Sequence, residues 1–207
     1  QYVKESSSAI RDTADTALAQ QAAPLISAHP GKSGFYPLSD GVEALGARLV
    51  LARKAESSID VQYYYILADI TGKLFVHELI EAADRGVRVR MLLDDISTKG
   101  FEEMFSVLSA NPNIEVRLAN PAAHRKTRSD MATDFHRLNH RMHNKSVTYD
   151  NTVTIVGGRN IGAEYFGADD EFNYFDLDVA AIGPVADEVS SEFDLYWNAD
   201  ETIPVTA

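Results

Sequence analysis

The sequence predicts an α/β fold in which helices lie on both faces of a mixed β-sheet. The first observation is size and composition, because 207 residues with 45% hydrophobic residues can bury a core as one large or two small domains. The second is pattern, since runs rich in β-branched residues alternate with stretches of helical apolar spacing. The third is order: strands and helices follow one another as the crossover units of such a sheet do.

The N-terminal part is predicted to be helical. Apolar residues recur at roughly helical spacing over residues 9–28, and Pro24 is expected to kink or end this helix. A segment dense in turn formers follows, and Asp40 is then placed as the N-cap of the next helix. We therefore divide the chain into an N-terminal helical arm and loop, residues 1–36, and a main domain, residues 37–207.

The middle of the chain predicts a strand–helix–strand unit. A β-branched and aromatic run over residues 59–67 predicts a strand, Thr71 is expected to cap the following helix, and Gly86 to end it. Valine and arginine alternate over residues 87–93 and predict the next strand. The other predicted elements are a helix over 101–109, a strand over 114–118, strands near 145–156 and 177–182, and a closing helix over 187–197.

The charge of the chain is strongly acidic, with one basic exception. Nineteen Lys and Arg stand against 31 Asp and Glu, a net charge of −12, which argues against a general nucleic-acid-binding protein. Between residues 121 and 142 the periodicity fails, and the window 124–145 carries six Lys or Arg against two Asp, together with four of the six histidines. This predicts either a local anion site, with Arg141 as a phosphate ligand, or an ordinary solvated loop.

The segment that follows this loop carries the candidate chemistry. On a strand, His143 and Lys145 project from the same face, whereas Asp150 has the opposite parity and suits a structural acid in a turn with Asn151.

A glycine pair and an amide complete this segment. Gly157 and Gly158 permit a close backbone approach, and Asn160 offers an amide donor. These groups suit a phosphate, which lysine neutralises, amides hold and histidine attacks or protonates.

The spacing His-x-Lys-x4-Asp-x6-Gly-Gly-x-Asn resembles the signature of the phospholipase D superfamily. It is formed by His143, Lys145, Asp150, the pair Gly157 and Gly158, and Asn160. Its flanks RMHNK and VGGRNIGAEYF, with further stretches between roughly residues 15 and 198, resemble the N-terminal half of bacterial C-type cardiolipin synthases. The resemblance implies a phospholipase D-like fold for residues 37–207, as one half of a pseudo-two-fold pair.

The resemblance also implies roles for single residues. His143 would form a covalent phosphohistidine or act as its acid partner, and Lys145 and Asn160 would bind phosphate oxygens together with Gly157 and Gly158. Asp150 belongs to the catalytic motif. A carboxylate would orient the histidine, with Asp176 as first choice and Asp178 as second, because period two places both on one strand face. Glu164, four residues after Asn160, would either lie near the site or cap or solvate a short helix. Neither a metal nor a cofactor is implied.

The predicted function is therefore a phosphatidyltransferase of bacterial phospholipid biosynthesis, associated with the membrane surface of the cell envelope. The chain has one copy of a motif that such enzymes use twice, so the second copy would come from a C-terminal half or a homodimer mate, and the isolated half would be inactive. The alternatives are a phospholipase D-type phosphodiesterase or nuclease active as a homodimer, and a non-catalytic fragment that packs against a partner. The acidic charge disfavours nucleic acid as a partner.

Three weaker features receive structural interpretations. The pair Asp94 and Asp95 ends a strand where α/β proteins place ligands, but helix capping and turn formation are favoured over a metal or substrate role. For the tyrosines 63–65, sheet packing is favoured over stacking on a ligand. His29 and His77 are placed in a turn and a helix.

Overall fold

A computed structural model describes residues 4–95, 102–121 and 141–205. The eight strands in this part of the chain form one sheet in the order β1-β7-β6-β5-β2-β3-β4-β8. The strands are β1 Gly34–Leu38, β2 Ser58–Tyr63, β3 Arg88–Asp94, β4 Ile114–Ala119, β5 Ser146–Tyr149, β6 Val153–Gly157, β7 Asp178–Ile182 and β8 Thr202–Pro204. The helices are α1 Ala17–Ala28, α2 Gly41–Lys54, α3 Ile70–Asp84, α4 Glu102–Ser109 and α5 Pro184–Asn198.

The predicted mixed sheet between helices is confirmed. Strand β3 pairs in parallel with β2 and β4, as expected for strands joined by the crossover helices α3 and α4, and the other pairings are antiparallel. Side chains alternate across the sheet, so Met91 and Leu93 join the larger core beneath α1–α4 while Leu92 packs with Phe193 and Trp197 of α5. The helices therefore cover both faces.

A buried arginine joins α5 to the sheet. Arg90 on β3 forms ion pairs with Asp60 of β2 at 2.7 Å and with Asp194 of α5 at 2.8 Å, and its guanidinium lies 4.8 Å from the Phe193 ring centroid. Because these contacts come from β2 and from α5, the Arg90 side chain ties α5 to the sheet.

Several predicted element boundaries differ from the structure. Helix α3 begins at Ile70 because the carboxylate of Asp69, not Thr71, accepts the orphan amides of residues 71 and 72, each at 2.9 Å. Strand β2 ends at Tyr63 rather than at residue 67. Helix α1 begins only at Ala17 and continues through Pro24.

Other predicted boundaries are confirmed. Asp40 caps α2 through the amide of Glu43 at 2.8 Å, and Gly86 follows α3 with a φ of 95°, which favours glycine. The basic window predicted as a loop falls mostly on residues 122–140, which lie outside the described residues.

Candidate active site

The histidine, lysine and asparagine of the motif lie at one edge of the sheet. Strand β2 runs antiparallel to β5, so its carboxyl end lies beside the start of β5, with Gln62 opposite Ser146. Strand β6 then returns to the same edge, where Gly157 lies opposite Asp178 at the start of β7. The carboxyl ends of parallel strands are where α/β sheets place ligands.

His143 and Lys145 lie together, as predicted, although both precede β5, which begins at Ser146, so strand alternation is not what pairs them. Lys145 is 7% exposed, and its Nζ donates to the His143 carbonyl oxygen at 2.8 Å and lies 3.1 Å from His143 Nδ1. The imidazole is exposed, and its ring centroid is 5.2 Å from that of Tyr64. Since an ammonium group only donates, His143 Nδ1 accepts in this contact, and a neutral imidazole then carries its proton on Nε2.

The structure separates the two aspartates that the sequence placed on one strand face. Strand β7 begins at Asp178, so Asp176 lies before it and the alternation does not connect them. The fully buried Asp178 carboxylate accepts from Arg48 Nη2 at 2.8 Å and from the Arg159 amide at 3.3 Å. Asp178 therefore lies beneath the site and does not face the histidine.

Asp176 is the acid that reaches the site. Its carboxylate packs against Gly158, where an added Cβ would lie 2.5 Å from Oδ2. Burial lowers the pKa of Lys145, and the negative charge of Asp176 acts in the opposite direction. The hydrogen bond and the ring pair seen for the His143 imidazole in the described part of the chain are with Lys145 and Tyr64, so neither joins it to Asp176.

Asp150 is not brought to the site. It lies at the far end of β5, in a turn where Asp150 and Asn151 have φ values of 49° and 47°. Its buried carboxylate accepts the backbone amides of residues 56, 57 and 58 at 2.7–3.2 Å. This carboxylate ties the hairpin to the start of β2, which is the structural role that strand parity indicated.

The two glycines allow a close approach of β6 to the start of β7. A Cβ at Gly157 would lie 2.6 Å from Asp178 Cα and from the Leu177 carbonyl oxygen. Both are backbone atoms, so no side-chain movement could remove the clash. At Gly158 the neighbour is instead the Asp176 side chain. The close approach in this structure is therefore between two strands, and it holds the segment that leads to Asn160.

Asn160 is almost completely buried, with 2% exposure. Its Nδ2 lies 3.2 Å from the Tyr165 hydroxyl, whereas its Oδ1 is buried and has no hydrogen-bond partner among the described residues. Tyr165 belongs to a short 3-10 helix, Ala163–Tyr165, and its hydroxyl lies 3.1 Å from that of Tyr65. Glu164 Oε1 lies 3.4 Å from the same Tyr65 hydroxyl.

The segment before His143 is anchored by an acid at the end of β3. Arg141, predicted as a phosphate ligand, places Nη1 3.1 Å from Asp94 Oδ1, and the Met142 amide donates to Asp94 Oδ2 at 3.0 Å. The sequence favours capping and turn formation for Asp94, whereas in the structure its carboxylate holds the backbone that leads to His143. The position of Asp94 at the carboxyl end of a parallel strand is the sequence signal for a role near the site.

Comparison with known proteins identifies the domain. A family model described as the phospholipase D-like domain of cardiolipin synthase matches residues 49–197. The chain belongs to this family. Cardiolipin synthase C of Escherichia coli is 50% identical over 189 residues, which are 91% of this chain and 40% of that protein. The chain thus spans well under half the length of the curated relatives that it matches.

Solved structures share the fold of this cardiolipin synthase-type domain. A phosphatidylserine synthase from Haemophilus influenzae superposes with a TM-score of 0.66 at 16% identity, covering 82% of this chain and 38% of that one. Nuc, a phospholipase D family member from Salmonella typhimurium, gives 0.61 at 18% identity, covering 85% and 100%. The predicted superfamily and fold are confirmed.

Sheet packing, the favoured interpretation of the tyrosines 63–65, is wrong for two of them, which lie at the phospholipase D-like site. Because β2 ends early, Tyr64 and Tyr65 leave the sheet and lie beside His143 and near Asn160, whereas only Tyr63 packs as predicted. Within the described residues, the structure contains no helix both long and apolar enough to span a bilayer.

We predict that Asp176→Asn lowers the pKa of Lys145 below its value in the unmodified domain. The carboxylate opposes the effect of burial, so its removal leaves burial to act alone on the ammonium group. An NMR titration of the Lys145 side chain measures this, and Asp170→Asn, an exposed acid of the same segment, is the control. In an enzyme with both motifs, at a temperature where both variants stay folded, Asp176→Asn should also lower turnover far more than Asp178→Asn. Equal pKa shifts from Asp176→Asn and Asp170→Asn would contradict the assignment.

Proposed function

We propose that this chain supplies one half of the active site of a phosphatidyltransferase that acts on phospholipid phosphodiesters, as a cardiolipin synthase does. The observation that carries the proposal is the cluster of His143, Lys145 and Asn160 at one sheet edge, an exposed imidazole beside a buried ammonium group and a buried amide. Cleavage of a phosphodiester needs positive charge and N–H donors beside the nonbridging oxygens, and a nucleophile that attacks phosphorus.

The reaction proceeds in two displacements. An imidazole nitrogen attacks phosphorus, a P–N bond forms, and the P–O bond to the first alcohol breaks while an opposing histidine gives that oxygen a proton. The hydroxyl of a second lipid then attacks phosphorus, the same opposing histidine takes its proton, and the P–N bond breaks. Lys145 and Asn160 bind the nonbridging oxygens throughout. Two glycerophospholipids joined in this way yield cardiolipin.

The second histidine comes from another copy of the motif, either in a C-terminal half or in a homodimer mate. Two facts support this part of the proposal: the chain carries a single copy of the motif, and it covers 40% of the length of the Escherichia coli relative. The substrates are lipids, so the site works at the membrane surface of the bacterial envelope. The net charge of −12 opposes a nucleic-acid substrate.

Product analysis tests the proposed function. The chain is assayed as a dimer, obtained by concentration or by a tandem fusion of two copies, with phosphatidylglycerol vesicles and separately with plasmid DNA. We expect cardiolipin and free glycerol from the vesicles, and a loss of at least about 10²-fold in the His143→Ala variant, since general acid–base catalysis alone is worth that much. DNA cleavage that depends on His143, with the lipid unchanged, would instead support a nuclease.

A further inference from the structure

The amide of Asn160 has one satisfied end and one unsatisfied end. Nδ2 contacts the Tyr165 hydroxyl at 3.2 Å, while Oδ1 is buried without a hydrogen-bond partner among the described residues. Buried polar atoms without partners are rare in folded proteins, and each one calls for an explanation such as a bound ligand, ion or water. The end of the amide that does not contact Tyr165 is therefore the end available to a substrate.

The chemistry of a phosphate decides which atom must occupy that end. The nonbridging oxygens of a phosphodiester only accept hydrogen bonds, so a carbonyl oxygen facing them is repelled and an N–H group is attracted. A half-turn of the amide exchanges Oδ1 and Nδ2 without changing its shape. After this half-turn the NH₂ group of Asn160 faces the anion and Oδ1 faces Tyr165, which must then donate.

Tyr165 can donate its own hydroxyl proton to Asn160 because the Tyr65 hydroxyl donates a hydrogen bond to the Tyr165 oxygen. The Tyr65 hydroxyl lies 3.1 Å from that of Tyr165, closer than its other acceptor, Glu164 Oε1 at 3.4 Å. Burial raises the pKa of Tyr65, and the bond to Tyr165 raises it further, so this hydroxyl stays protonated. Each hydroxyl then donates to the next group, from Tyr65 to Tyr165 and from Tyr165 to Asn160.

We propose that Tyr165 is a positioning residue whose hydroxyl holds the Asn160 amide with its NH₂ group toward the substrate phosphate, and that Tyr65 completes this relay. The inference rests on the phosphate site of the proposed function and deepens it. It assigns a role to two tyrosines outside the His-x-Lys-x4-Asp motif.

The experiment measures the affinity of this chain for inorganic phosphate by NMR titration. Tyr165→Phe removes only the hydroxyl and should weaken phosphate binding by about 3- to 10-fold, the effect of one lost hydrogen bond. Tyr174→Phe is the matched control, because that ring stacks on Tyr165 at 4.8 Å and no hydrogen bond of its hydroxyl to another described residue is seen. The control should bind phosphate as the unmodified chain does.

A double-mutant cycle separates positioning from packing. In an Asn160→Ala background the hydroxyl has no amide to hold, so Tyr165→Phe should cause no further loss of affinity. Tyr65→Phe should weaken binding in the same direction by less, which provides a second variant if Tyr165→Phe lowers the melting temperature. An equal loss from Tyr165→Phe with and without Asn160 would show a packing role and overturn the inference.

The remaining outcomes distinguish this inference from the proposed site. If Lys145→Ala weakens phosphate binding while Tyr165→Phe does not, the site stands and the relay is refuted. If the unmodified chain does not bind phosphate in the tens of millimolar range, the site and the relay both fail.

Discussion

At concentrations where this chain is monomeric, we expect it neither to transfer phosphatidyl groups nor to hydrolyse phospholipids at a useful rate. One histidine cannot both remain bonded to phosphorus and face the departing alkoxide as its acid, so general-acid assistance of about 10²–10⁴-fold is lost. The lysine and asparagine of the second motif are absent as well, and the loss of one such oxyanion donor typically costs about 10²–10³-fold. Head-group release from phosphatidylglycerol, measured across protein concentration, tests this expectation.

Mixed dimers give the sharper form of this test. When unmodified chain and His143→Ala chain are combined at a fixed total concentration that supports dimers, a site that needs both histidines is active only in dimers of two unmodified chains. Activity should then fall as the square of the unmodified fraction. A linear fall, or His143-dependent activity at concentrations where light scattering shows only monomer, would refute the requirement for two histidines.

Local patterns were sufficient to predict the hairpin of β5 and β6. The alternation of these strands and the Asp150–Asn151 turn are encoded within a dozen residues. His143 and Lys145 lie together as predicted, but not for the predicted reason, because both precede β5, which begins at Ser146. Strand alternation could not show whether Asp176 or Asp178 faces the site, because the argument assumed a strand through both residues and the strand begins only at Asp178. Strand ends depend on neighbouring segments, so such boundaries are read poorly from local pattern.

Long-range partners could not be predicted. Arg48 lies on α2, and 130 residues separate it from Asp178, with which it forms a buried pair. Nothing in the local spacing of either residue indicates the other. Tyr165 likewise acquires its significance only when the 3-10 helix places its hydroxyl against Asn160 and Tyr65. The motif identified the chemistry, whereas the groups that orient it come from segments that only the fold brings together.

Beneath the candidate site, Asp178 forms ion pairs with two buried arginines. Its carboxylate lies 2.8 Å from Arg48 Nη2 and 3.4 Å from Arg159 Nη1. Burial acts to lower the pKa of Arg48, but Tyr63 and Asp178 outweigh it and hold the guanidinium in its charged form. Arg159 also donates to the carbonyl oxygens of Leu38, Ser39 and Tyr165, so the cluster joins β1, α2 and β7 under the segment that leads to Asn160.

We expect Asp178→Asn to lower the free energy of unfolding by about 3–5 kcal/mol, because removing one partner of a buried ion pair leaves uncompensated charge in the interior. Urea denaturation measures the change. Arg11→Met is the control: it removes the ion pair with Asp187, in which both side chains are about half exposed (48% and 53%), so stability should change little. The double variant Arg48→Met with Asp178→Asn should lose less than the sum of the single losses, since the second substitution removes a charge that the first left unpaired. An effect of Asp178→Asn no larger than that of Arg11→Met would show that the buried cluster does not stabilise the fold.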